Sequence, residues 1–302
     1  MNMTRAGEPM SRTAGPTGVR AVAASTRAEL LRLRKWPAMW VLAGVWLALN
    51  LMFAYVFNYI AYATGSGNFG TGEATDGLLT DVLPDAIPRI YTGGLPMFGG
   101  AIMMILGALA AGSGFGWGTW KTAFTQGPRR LTAFGGTLVA LGVVVVTILV
   151  AQLALNFGAS ILIGTVESQL LVWPDVGELA QSVGGGLLIS AMWAAAGVLI
   201  GVLTRSPAMA VGLGLVWSLV VENLLRGVAN LISELEYVTN VLPGTAAGSM
   251  AGALGATAEG DGDGAPGVLT VLSGASSAAL LVAYLVLFGV VAAVSMRRCD
   301  LA

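Results

Sequence analysis

Long stretches of this chain carry no charge, and these runs, rather than any alternation of polar and apolar positions, predict its elements. Residues 38–60, 95–115, 131–164, 183–203 and 271–296 are free of charged side chains. A sixth run, 207–225, is interrupted near one end by Glu222. A helix needs about 20 apolar residues to cross a bilayer, and a charge at the bilayer centre costs about 3 kcal/mol. The pattern therefore predicts an all-α membrane protein with six transmembrane helices. The third run is too long for one untilted span, so it includes a turn beginning at Leu131 that lies outside the hydrocarbon. Ahead of the first span, Thr26-Arg27-Ala28-Glu29 fits a capping box, and Leu30 and Leu33 lie opposite Arg27 and Arg34 on a helix. This segment reads as an amphipathic helix on the inner leaflet, the plainer alternative being a positive flank that only sets orientation. Pro37 suits the first position of the following span. Residues 1–37 thus form a tail and interfacial helix, and residues 38–302 the six-helix domain.

Composition narrows the function. Of 302 residues, 56% are hydrophobic and 10% charged, with 43 glycines and a mean hydropathy of +0.79. These values exclude disorder, a disulfide scaffold and a nucleic-acid binder. With no histidine and only Cys299, no Ser-His or Cys-His nucleophilic pair and no histidine-ligated zinc is available. With six spans, 13 of the 15 Lys and Arg residues fall on the side of the two termini, leaving Arg89 and Arg226 opposite. The positive-inside rule then places both termini in the cytoplasm. The first 37 residues lack the short basic region and A-x-A-like site of a signal peptide.

Several motifs lose their chemistry in context. Gly65-Ser66-Gly67-Asn68-Phe69-Gly70 matches a dinucleotide-binding pattern but follows a membrane helix, so it reads as a linker. Gly116 to Thr122 ends like a phosphate loop, yet Trp120 stands where glycine must precede the lysine. Glu259, Asp261 and Asp263 resemble half a calcium loop whose twelfth position would be Thr270, and they read as a solvated segment. Small residues are more informative: Gly197 with Gly201, and Ala108 with Gly112, permit close helix approach in a packed bundle. Gln152, Asn156 and Ser160 form a polar ridge at i, i+4 and i+8 on the third span, joined by Asn50 and Asn58 on the first. Such groups face inward, either lining a path or joining helices. Beyond Glu222 and Asn223, which the pattern places at the outer mouth, Leu231, Ile232, Leu235 and Val238 recur at helical spacing. Leu231, Leu235 and Val238 are expected to pack as an outer lid above Glu222, or to lie on the outer leaflet. Pro243 and Gly244 are expected to stop that helix, and the stretch to Gly267 to be flexible.

The run Gly118-Thr119-Trp120-Lys121, separated by six residues from Pro128-Arg129-Arg130, resembles the first cytoplasmic loop of the type-2 ATP-binding-cassette exporter permeases, with its G-T-x-K-x-x-x-x-x-x-P-x-R pattern. The interfacial helix before the first span, the acidic segment between the last two, Leu242-Pro243-Gly244 and the basic C-terminal Arg297-Arg298 also fit that layout. The resemblance covers Thr26 to Asp300, and only the loop motif is specific. Many relatives carry a glutamate near Gly114 and a lysine near Gly136 or Thr137, and both are absent here. It implies a permease subunit in the bacterial cytoplasmic membrane, paired with a second copy or a sister permease. A separate ATPase subunit, holding ATP and Mg, would dock on Trp117, Gly118, Thr119, Trp120, Lys121, Arg129 and Arg130, and this chain would hold no cofactor. It also implies short re-entrant helices between the fifth and sixth spans. The competing class is a non-transporting membrane scaffold or assembly factor.

Overall fold

The computed structural model describes residues 18–65, 75–120, 122, 130–229, 232–258 and 264–298, and among them every regular element is a helix. Six helices are long and apolar enough to cross a membrane, and they coincide with the six uncharged runs. The chain is a multi-pass membrane protein. A surface helix α1 (Val19–Lys35) precedes the first span, α2 (Pro37–Thr64). Helix α1 starts at Val19 with Gly18 as N-cap, so Thr26 and Glu29 lie in mid-helix and the expected capping box does not form. Two short helices, α3 (Thr75–Thr80) and α4 (Ile87–Gly93), lead to the second span, α5 (Leu95–Gly116). The third and fourth spans are α6 (Arg130–Val166) and α7 (Val176–Thr204), and the fifth is α8 (Pro207–Ala229). Then come α9 (Ser233–Asn240), α10 (Pro243–Ala253) and the sixth span, α11 (Gly274–Arg298).

Local chemistry explains most boundaries. Trp36 is extended between α1 and α2, with Pro37 at the first helical position, where its missing N–H costs nothing. Gly65, the first residue of the dinucleotide-like motif, closes α2 in the left-handed conformation, and the rest of that motif lies outside the described residues. Asp175 caps α7 by accepting the Gly177 and Glu178 N–H groups at 2.8 and 3.1 Å. A turn at Arg205 and Ser206 folds α7 back into α8, with Ser206 as N-cap and Pro207 next. Three spans contain a wide π-helical stretch, Met52–Val56, Leu95–Gly99 and Val216–Val221, the last ending against Glu222.

The core centres on α5 and α7, which approach backbone to backbone. A methyl on Gly107 would overlap the Ala194 carbonyl oxygen, and one on Gly197 the Met104 carbonyl oxygen. Only glycine permits this separation. Helix α7 also packs against α4, α8, α10 and α11. At 37 residues α6 is about 55 Å long, well beyond the roughly 30 Å of hydrocarbon. Its first turns carry α1, as the excess length of the third run requires: Ser25 Oγ donates to the Ala133 carbonyl at 3.4 Å and fills the space beside Gly136.

The segment after the fifth span departs from the sequence expectation. Ile232 is extended, so the helix does not run on from Val228 but restarts at Ser233. Within α9, Val238 is 51% exposed and Leu235 half-buried, while Leu231 lies outside the described residues. Helix α9 does end at Asn240, just before Pro243 and Gly244, but these two residues do more than stop it. They begin α10, because proline suits a first turn as well as it suits the position after a last one. Rather than forming a flexible stretch, α10 is buried from Pro243 to Ser249. Glycines 248 and 252 admit the backbones of Gly267 and Leu269, and the Leu272 N–H donates to Ser249 Oγ at 3.2 Å.

Candidate functional site

The polar ridge of α6 meets a matching ridge on α2. The Trp46 Nε1–H donates to Gln152 Oε1 at 3.1 Å, and Gln152 Nε2 donates to Asn50 Oδ1 and to the Tyr91 carbonyl, each at 3.1 Å. Asn50 Nδ2 donates to Asn156 Oδ1 at 2.6 Å, and Ser160 Oγ to the Tyr55 hydroxyl at 3.2 Å. All of these side chains are buried. Each rung joins α2 to α6, and Gln152 also holds α4 through Tyr91. In this conformation the residues join helices. Asn156 Nδ2 alone within the ladder lacks a partner among the described residues. Asn58 donates to the Ala54 carbonyl of its own helix at 3.3 Å. Beyond the ladder, the Tyr59 and Tyr62 hydroxyls donate to Glu167 at 2.7 and 3.3 Å, tying the far ends of the same two helices.

At the other membrane face, the loop between α5 and α6 has a braced base. Arg32 of α1 donates to Ser113 Oγ at 3.1 Å and to the Ala110 carbonyl at 3.0 Å, and pairs with Glu29 at 2.7 Å. The guanidinium sits within the last two turns of α5, near the negative end of the helix dipole, where a cation is favoured. Trp36 packs edge-on against Trp117 with ring centroids 5.0 Å apart. The two loop tryptophans have different fates. Trp117 is 57% exposed, whereas Trp120 is 5% exposed and donates to the Ala111 carbonyl at 3.1 Å, between Phe115 and Phe134. Gly118 is left-handed, and Thr119 Oγ1 donates to Gly114 O at 3.2 Å. A methyl on Gly114 would overlap the Trp120 indole, so position 114 is glycine because the indole lies there. Arg130 opens α6 half-buried, and Lys121 and Arg129 lie outside the described residues.

Glu222 is buried between α8 and α10. Trp217 Nε1 donates to its Oε1 at 2.9 Å, and its Oε2 faces the Gly244 backbone, where a side chain on residue 244 would collide with it. Asn223 turns away, donating to Leu219 O at 2.8 Å and accepting from Arg226 at 2.6 Å. The backbone that meets the Glu222 carboxylate is thus that of α10. Glu259, Asp261 and Asp263, read from the sequence as a solvated segment, lie outside the described residues, and no group of three or more Cys, Asp or Glu side chains suited to a metal occurs among the described ones.

The sequence reading missed Trp46, Tyr55 and Tyr91 as partners of the ridge, Arg32 as a tie to α5, and the burial of α4 and α10. Part of the signal was present: Trp46 and Asn50 share a face of α2 at i and i+4, and Pro88 and Pro243 each stand at a helix start, whereas Tyr55 falls on the opposite face of an ideal α-helix and is brought round only by the π-helical stretch Met52–Val56. No protein-family model matches the chain, and no curated protein matches it.

Proposed function

We propose that this chain is the membrane-spanning permease subunit of an ATP-driven exporter of the type-2 ATP-binding-cassette kind. It works in the bacterial cytoplasmic membrane with a second permease copy or a sister permease. The observation that carries this reading is the brace beneath the loop bearing the Gly118-Thr119-x-Lys121 and Pro128-x-Arg130 pattern. Arg32 ties α1 to the end of α5, Ser25 ties it to the start of α6, and Trp36 meets Trp117. Force applied to such a loop moves α1, α5 and α6 together, which is what a coupling element must do to bias a two-state bundle. ATP and Mg belong to the partner ATPase. The two charged positions of the family that this chain lacks are occupied by packing: Trp120 fills the space beside Gly114 and Ser25 the space beside Gly136. At Gly114 and Gly136, packing thus stands where those charged groups would lie. Since Trp120 is committed to the core, Trp117 is the aromatic anchor available to a partner. The closed α2–α6 ladder favours the second reading, a non-transporting scaffold, only as far as those residues are concerned.

The test is purification of the full chain together with an ATPase encoded in an adjacent reading frame. Wild type is expected to retain the ATPase, and Trp117→Ala combined with Lys121→Glu and Arg129→Glu to release it while the permease remains folded. Undiminished retention would refute the docking assignment. A folded chain that retains no ATPase would favour the scaffold.

A further inference from the structure

The surface helix α1 carries two kinds of cation. Arg32 turns toward the bundle, where Glu29, Ser113 and Ala110 satisfy it. Arg20, Arg27, Arg34 and Lys35 are exposed, and none of them forms an ion pair among the described residues. Three of these, Arg20, Arg27 and Arg34, recur every seven residues, so they form one row with a spacing of about 10 Å along the helix. Directly beside that row runs an apolar strip of Val19, Ala23 and Leu30, and between this strip and α6 lies an open groove of about 410 Å³. Val19, Val22, Ala23, Thr26 and Leu30 form one wall, Val139 of α6 the other, and Arg27 stands at the rim. Val139 is 50% exposed and lies two turns into α6 from the ring of contacts that holds α1 down. The volume falls within the range of small-ligand pockets, and the lining is aliphatic apart from one hydroxyl and one guanidinium.

We propose that this groove binds one anionic glycerophospholipid from the leaflet that α1 faces. An acyl chain lies between α1 and Val139, and the phosphate is bound by Arg27 with help from Arg20 or Arg34. Charge complementarity decides the occupant. An apolar slot alone would accept any lipid tail, but Arg27 at its lip, in one row with Arg20 and Arg34 and with no ion pair among the described residues, adds a forked donor whose planar geometry matches phosphate oxygens. A zwitterionic headgroup offers the same phosphate with a compensating cation, so it gains less from the row. The lipid would complete the seat of α1, which otherwise contacts α6 through one face only. The inference is independent of whether the chain transports anything.

The experiment uses the full chain in detergent micelles titrated with phosphatidylglycerol or phosphatidylcholine of identical acyl chains. Retained lipid is counted by native mass spectrometry, and all variants are first matched to wild type in thermal midpoint. Phosphatidylglycerol is expected to be retained at least tenfold more tightly than phosphatidylcholine. Arg27→Gln should weaken phosphatidylglycerol by about fivefold, and Arg20→Gln should add to that loss, in keeping with the contribution of one basic residue at an anionic surface. Val139→Trp, which fills the groove without touching the charge, should reduce retention of both lipids. Glycerol phosphate lacking chains should not compete at millimolar concentration. Equal retention of the two lipids, unchanged phosphatidylglycerol binding in both Arg27→Gln and Val139→Trp, or competition by glycerol phosphate would each overturn the proposal.

Discussion

Replacing single glycines with alanine tests the packing of α5 on α7 directly, because the structure grades what each new methyl would meet. At Gly197 the methyl overlaps the Met104 carbonyl oxygen, so the helices must part by more than an ångström. At Gly201 it lies 3.0 Å from the Ala108 carbonyl oxygen, and a shift of a few tenths of an ångström suffices. At Gly44 and Gly158 nothing lies within 4 Å. A gap of 0.5–1 Å forfeits about a quarter to a half of each dispersion contact along a seam, and overpacking a tight core costs about 1–3 kcal/mol. Gly197→Ala is therefore expected to lose about 3 kcal/mol and Gly201→Ala about 1 kcal/mol. Gly44→Ala and Gly158→Ala should stay within about 0.5 kcal/mol, or gain slightly from the better helix propensity of alanine. Gly107→Ala should resemble Gly197→Ala, and the double variant should lose less than the sum, since helices already parted admit the second methyl cheaply. The assay is reversible unfolding of the purified chain with increasing SDS mole fraction in mixed micelles, all variants in one detergent. Equal stability of Gly197→Ala and Gly158→Ala would refute the backbone contact.

Three further outcomes are expected. Gln152→Leu strands the Trp46 Nε1–H and Asn50 Oδ1 inside the membrane, and should lower stability by about 1–3 kcal/mol in the same assay; an unchanged midpoint would show that the ladder contributes nothing. Trp120→Ala should cost about 3–5 kcal/mol, whereas Trp117→Ala should leave stability within about 0.5 kcal/mol, so a reversed order by thermal shift would mean the two rings had been misplaced. With Cys299 replaced by serine, a cysteine at the exposed Leu170 should react with an impermeant thiol reagent in intact cells and one at Ala28 should not; labelling at Ala28 would invert the proposed orientation.

The six spans, the surface helix and the asymmetry of charge were legible in the residues alone, because each depends on a one-dimensional quantity: the length of an uncharged run, a helical period, a count of cations. The ridge of Gln152, Asn156 and Ser160 was legible for the same reason, and so was the close approach at Gly197. What the ridge faced was not. Trp46, Asn50 and Tyr55 lie about a hundred residues away in the chain, and a period names a face without naming its partner. Nor could the residues separate Trp117 from Trp120, since an indole three residues along the same loop suits a wet surface or a satisfied core equally well. Only the space left by Gly114 and the Ala111 carbonyl chose the second for burial. Helix α10 is the clearest case. Eleven residues rich in glycine and alanine are too few to hold a helix by themselves, and Pro243 signals a start and a stop alike. The helix forms because its small side chains let the backbones of residues 267–269 and the carboxylate of Glu222 come into contact with it, and that contact exists only after the spans have assembled.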